Sequence, residues 1–137
     1  MNRDKVMMAV FLTIAIGIYF YFQFEQQKVK LIVDTTSYRE LVAKAQRPRV
    51  VSFYAQRSAP CRQFKPVLEK VMMNYTQSVD CVVVNVDDRN SKAIVQSFRV
   101  TQIPAIFILD RKGNIIFDRA GYVDPDELDY YIKKTIF

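Results

Sequence analysis

The chain has 137 residues, half of them apolar, with 20 Lys and Arg against 14 Asp and Glu, two cysteines and no histidine. A length of this order holds one domain beside a short extra segment. Lacking histidine and holding only two cysteines, the chain can build neither a Ser-His-Asp nucleophile nor a Cys/His zinc site, and a scattered excess of +6 without a recognition motif argues against nucleic acid.

Residues 6–24 are almost continuously apolar and carry no charge. As a helix they would extend about 28 Å, enough for a hydrocarbon core of about 30 Å. Tyr19, Phe20, Tyr21 and Phe22 close the run with aromatics suited to a membrane interface. The pattern predicts a single-pass anchor in contact with membrane lipid through residues 6–24. A cleaved signal peptide has a shorter apolar core and a small-residue cleavage site, and the segment from Gln23 to Lys28 offers none. Residues 1–30 are therefore read as anchor and linker, and residues 31–137 as the folded domain. Arg3 and Lys5 at one end balance Lys28 and Lys30 at the other, so flanking charge leaves orientation open. Ala9, Thr13 and Gly17 recur every four residues, a stripe that admits a second membrane helix, although small residues are common enough in such helices for chance to produce it.

Val29 to Val33 reads as a first short strand. Ser37 and Glu40 have the spacing of a capping box, which predicts a helix to about Gln46. The β-branched run at 49–55 predicts a buried strand, and Phe64, Val67, Leu68, Val71, Met72 and Tyr75 then recur at helical spacing around an internal Pro66. A strand at 80–87 and a helix near 91–98 lead to Ile103-Pro104. Strands at 105–109 and 114–119 flank the turn Asp110-Arg111-Lys112-Gly113. Asp124-Pro125-Asp126-Glu127 opens the last helix, whose apolar face is Leu128, Tyr131, Ile132 and Ile136.

Between the strand at 49–55 and the Pro66 helix lies Arg57-Ser58-Ala59-Pro60-Cys61. This placement, with Pro66, Asn85-Val86-Asp87, Ile103-Pro104, and Lys112-Gly113-Asn114 with Gly121, resembles the thioredoxin superfamily over residues 36–137. The resemblance implies an α/β fold, a central mixed β-sheet flanked by helices, here preceded by one N-terminal transmembrane helix. It also implies a motif Trp-Cys-Gly-Pro-Cys, in which one thiolate attacks a disulfide and the second resolves the intermediate. Ser58 stands at the attacking position, Arg57 at the aromatic one, and Ser52 where many relatives bury an acid, so no catalytic residue is assigned. Because three such positions depart together, natural divergence explains Ser58 better than a designed exchange.

By the same resemblance Ile103-Pro104 is a cis bond whose backbone edge pairs with an extended peptide, and Arg57, Ser58, Ala59, Pro60, Ile103 and Pro104 form the partner-binding set. The cis turn also serves simply to close such a fold. Cys61 reads first as a buried small hydrophobe and second as a lone reactive thiol, and Cys81 as strand core. A Cys61–Cys81 disulfide would have to bridge a helix and a strand end. Arg47, Arg49, Arg57, Arg62 and Lys65 come nearest to a basic cluster, around the motif loop, and suit an acidic protein or anionic head groups.

The expected function is a protein-binding accessory or assembly subunit of a membrane complex, for instance a respiratory one, with other membrane subunits as partners and no metal, nucleic acid or small-molecule cofactor. The domain is placed on the outer, periplasmic, lumenal or mitochondrial intermembrane side. The alternative is an anchored thiol-disulfide oxidoreductase or chaperone-like factor that works through Cys61 alone.

Overall fold

The computed structural model describes residues 2–26, 31–32 and 46–137. The expected capping box at Ser37 and Glu40, and the helix after it, lie outside the described residues. Helix α1 (Arg3–Gln26) contains a 21-residue stretch, Arg3–Gln23, of mean hydropathy 1.9 and wholly exposed. It is long and apolar enough to cross a membrane, a test that a signal sequence also passes.

Among the described residues, five strands form one sheet: β1 (Leu31–Ile32), β2 (Arg49–Tyr54), β3 (Asp80–Asn85), β4 (Ala105–Leu109) and β5 (Ile115–Ala120), in the order β1-β3-β2-β4-β5. The first three run parallel, β4 is antiparallel to β2, and β5 is antiparallel to β4. Central β2 and β3 are covered on both faces, which is why they read as continuous Val-rich runs rather than as alternating strands.

The pleat sends alternate residues into two separate cores. Val50, Cys81, Ile106 and Ile108 meet α2 (Ala59–Met72) and α4 (Pro125–Ile136) through Phe64, Leu68, Leu128 and Ile132. On the opposite face Val51, Phe53, Val82 and Val84 meet α3 (Lys92–Ser97) through Ile94. That second core is centred on three aromatic rings: Phe53 lies 5.3 Å from Phe98 and 5.6 Å from Phe107, and Phe98 lies 4.8 Å from Phe107.

Local chemistry trims the expected boundaries. Strand β3 ends at Asn85 because the Asn85 side chain accepts from the Asp87 amide at 3.1 Å and turns the chain. The helix expected near 91–98 is preceded by a 3-10 turn, Arg89–Ser91, capped by Asp88, whose carboxylate accepts from Asn90 N. Strand β5 starts one residue late because Asn114 belongs to the turn, where its backbone and side chain both donate to Asp110 at 2.9 Å. Helix α4 opens as read: the Asp124 carboxylate accepts from Asp126 N at 2.9 Å, and Pro125 takes an early position where no amide is needed.

The 3-10 turn after α2 is tied to α4 through Tyr75, whose hydroxyl donates to the Asp129 carboxylate; the other Asp129 oxygen meets Lys133 Nζ at 2.6 Å. Lys133 first, then Tyr75, hold the Asp129 carboxyl below its ordinary range, while burial and the Asp129 bond push Tyr75 up to about 12. The lowered Asp129 pKa contributes stability above about pH 4 that is lost as pH falls through the folded value. The raised Tyr75 pKa contributes stability below about pH 10 that is lost as pH rises towards 12. Urea midpoints measured against pH should therefore fall at both extremes in the wild type, and Asp129→Asn should flatten the acid limb. An unchanged acid limb in that variant would remove Asp129 from the account.

Candidate functional site

Strand β2 runs through Ala55, Gln56 and Arg57 into the first turn of α2. Ser58 is the N-cap, with extended dihedrals of −76° and 117°; its amide donates to the Ala55 carbonyl at 3.2 Å and its carbonyl accepts from Arg62 N at 3.1 Å. The Ser58 Oγ accepts from Cys61 N at 3.4 Å, and Pro60 sits in the first turn where its missing amide costs nothing. Serine is among the preferred residues at such a cap. Ser58 therefore has a structural role that its sequence position alone did not suggest. Arg62 Nη1 donates to the Gln56 carbonyl at 3.2 Å and pins the loop.

Beneath the loop lies a cavity of about 390 Å³. Its buried wall includes Ser52, Cys61, Phe64, Leu68 and Pro104, and the exposed residues of its lining are Gln56, Arg62 and Lys65. Ser52 and Val83 are register partners on β2 and β3, so two small side chains stand side by side on the cavity wall. The Ile103–Pro104 peptide bond is cis, as expected, and the Pro104 carbonyl accepts from Gly121 N at 2.7 Å; Gly121 takes a φ of +94°, open to glycine.

Of the residues singled out from the sequence, Ser52, Cys61 and Pro104 come together on this cavity, with Ser58 at the cap beside it. Arg57, Ala59 and Pro60 are exposed on the loop and the first turn. The Ile103 side chain instead packs on the opposite core with Phe53 and Phe107, so that residue offers its backbone and not its side chain. The expected basic cluster divides. Arg49 is 1% exposed at the start of β2, the strand end remote from the motif, and Arg47 pairs at 3.9 Å with Asp80 there. On α1, Ala9, Thr13 and Gly17 are exposed, and the Thr13 hydroxyl donates to the Val10 carbonyl at 2.8 Å.

Three contributors, Glu69, Val83 and Tyr122, escaped the sequence reading, and Lys65 entered it only as a member of the basic cluster. Lys65 and Glu69 follow Cys61 at helical spacing and line the cavity, as does Val83; that spacing was the available signal for the first two. Tyr122, 59% exposed, sets its ring edge-on to Phe64 with centroids 6.1 Å apart.

Both cysteines are free and buried, so the considered Cys61–Cys81 disulfide is not formed. Burial first, then the Glu69 charge, pushes the Cys81 thiol up to about 12. Iodoacetamide at pH 8 should therefore leave Cys81 unmodified in the folded chain and label it in urea, read by peptide mass spectrometry; labelling without denaturant would contradict its place in the core.

The Thioredoxin family model matches residues 29–134. Mitochondrial thioredoxin from Bos taurus is 30% identical over 105 residues, which are 77% of this chain and 61% of that protein. The chain thus spans less than two thirds of that curated relative. A thiol:disulfide interchange protein TxlA homolog from Synechocystis is 28% identical over 121 residues, 87% of this chain and 67% of its own length. Among solved structures, chloroplastic thioredoxin z superposes with a TM-score of 0.67 at 20% identity, over 79% of this chain and 94% of that one, a likeness of fold.

Proposed function

The chain belongs to the thioredoxin family, as a thioredoxin-like domain related to thiol-disulfide interchange proteins, and from that premise we propose that it binds proteins without exchanging electrons with them. The carrying observation is the pair of residues at the motif. Ser58 has a hydroxyl where the attacking sulfur would stand, and that oxygen is engaged as the cap of α2. An unassisted hydroxyl is a poor nucleophile, and the chain has no histidine to activate it. Ser52, on the cavity wall behind Cys61, has no acid to lend.

On this reading residues 1–30 anchor the chain in a membrane, residues 31–137 form the binding domain, and the protein is an accessory or assembly subunit of a membrane complex with its domain on the outer, lumenal or intermembrane side. Support comes from the exposed apolar length of α1 and the retained framework around Pro104. Gentle detergent extraction followed by native separation should place the full chain in an assembly several times its own mass of 16.0 kDa. Migration as a free monomer would overturn the reading.

One observation favours a second reading, a tethered factor using Cys61 alone: that residue lines the cavity although it is only 4% exposed. It requires fast alkylation of Cys61 near neutral pH, and a slow, ordinary thiol would dismiss it.

A further inference from the structure

We propose that the cavity beneath the motif is a socket for one large apolar side chain of an extended, acidic partner segment. This deepens the protein-binding reading above and rests on it. A volume of about 390 Å³ falls within the range of about 300–1,000 Å³ typical of sites that enclose a ligand. Tyr54, Phe64, Leu68 and Val83 supply most of its apolar surface, the buried Ser52 and Cys61 bring polar atoms to the wall beside them, and the half-buried Glu69 lies with Gln56, Arg62 and Lys65 among the polar residues of the lining. The space owes its size to the small register partners Ser52 and Val83, since longer side chains at either position would project into it.

Charge at the mouth selects the occupant. Lys65 lies 3.8 Å from Glu69, and these two largely offset one another. Arg62 then remains at the rim, with one guanidinium nitrogen on the Gln56 carbonyl and further donors to spare, and Arg57 is exposed on the same loop. Guanidinium groups beside an apolar pocket fit a carboxylate that flanks a buried anchor, in the manner of an interface hot spot. The partner is therefore a polypeptide carrying an aromatic or long aliphatic residue between acidic ones.

The chain contains no tryptophan, so the fluorescence of a peptide tryptophan reports binding without background. Full-length protein in detergent should bind acetyl-Glu-Ser-Trp-Ser-Glu-amide saturably and show no binding of the peptide with lysine in place of both glutamates. Val83→Phe, which sets a ring into the socket and narrows it, and Arg62→Gln, which removes the rim charge, should each weaken binding about tenfold. Ser52→Leu narrows the same space from β2 and guards against a folding defect peculiar to position 83; near-ultraviolet circular dichroism confirms that each variant is folded. Failure of the acidic peptide to bind, equal affinity for the lysine peptide, undiminished binding by both narrowed variants, or equal affinity for N-acetyltryptophan alone would each overturn the proposal. Native separation of the wild-type chain distinguishes the two levels: an assembly formed by a chain that binds no acidic peptide sinks the socket and leaves the accessory-subunit reading standing.

Discussion

Replacing Ser58 with cysteine should confer catalytic disulfide reduction, which the wild type is expected to lack. The expected wild-type result is insulin reduction no faster than dithiothreitol alone. In the Ser58→Cys variant the new thiolate attacks the substrate disulfide, one substrate sulfur leaves as a thiolate, and Cys61 then displaces the second. This leaves an intramolecular disulfide that dithiothreitol reduces for the next cycle. Cys61 stands three residues along the same helical turn, with its amide already directed at the residue-58 side chain. Recovery should remain partial, because Ser52 cannot move the proton that a buried acid would; adding Ser52→Asp should raise the rate by about 100-fold, the lower end of what general acid-base catalysis contributes. The exchange also removes a favoured cap at a cost of about 0.5–2 kcal/mol, visible as a lower urea midpoint. Sustained wild-type turnover would sink the non-catalytic reading. Full activity from Ser58→Cys alone would show that an acid at position 52 is dispensable.

The largest stability effect should come from the face of the sheet opposite the cavity. Phe53 is fully buried and is the ring on which Phe98 and Phe107 both converge. Phe53→Ala removes those contacts and leaves a void that the flanking strands β3 and β4 cannot close, a loss of about 3–5 kcal/mol. Against a domain stability of about 5–15 kcal/mol that is a large fraction, and urea denaturation at pH 7 should show a greatly lowered midpoint. Ser52→Ala, one residue away on the other face, should shift the midpoint little because the cavity already borders it. A loss below about 1 kcal/mol in Phe53→Ala would contradict the division into two cores.

Much of this framework was legible because its signals are local. The Val-rich runs of β2 and β3, the helical spacing from Phe64 to Tyr75 and the Asp124-Pro125 start of α4 each lie within one short window of sequence. What escaped depends on partners distant in the chain. Strand β4 pairs with β5 through a register shift, Ile108 opposite Phe117 but Leu109 opposite Ile115, which no turn residue announces. Arg99 takes a φ of 52° without being glycine. The cavity wall is assembled by the Ser52–Val83 register and by the turn of α2 that brings up Lys65 and Glu69, so a reading centred on the motif named Ser52, Cys61, Arg62 and Lys65 without joining them into one pocket and missed Glu69 and Val83. Arg49 was misplaced for a related reason: adjacency to charged neighbours suggested a surface cluster, whereas strand direction carries it to the far end of the sheet.

The outermost strand has a consequence for how the domain meets other molecules. Strand β1, on the edge of the sheet, begins five residues after the last residue of α1, a leash of at most about 18 Å even when fully drawn out. With α1 lodged in a bilayer, the domain would patrol a thin layer above the lipid instead of the surrounding fluid. Neighbours held in that layer would meet it at a local abundance that bulk solution does not provide, so contacts too feeble to survive dilution would suffice there.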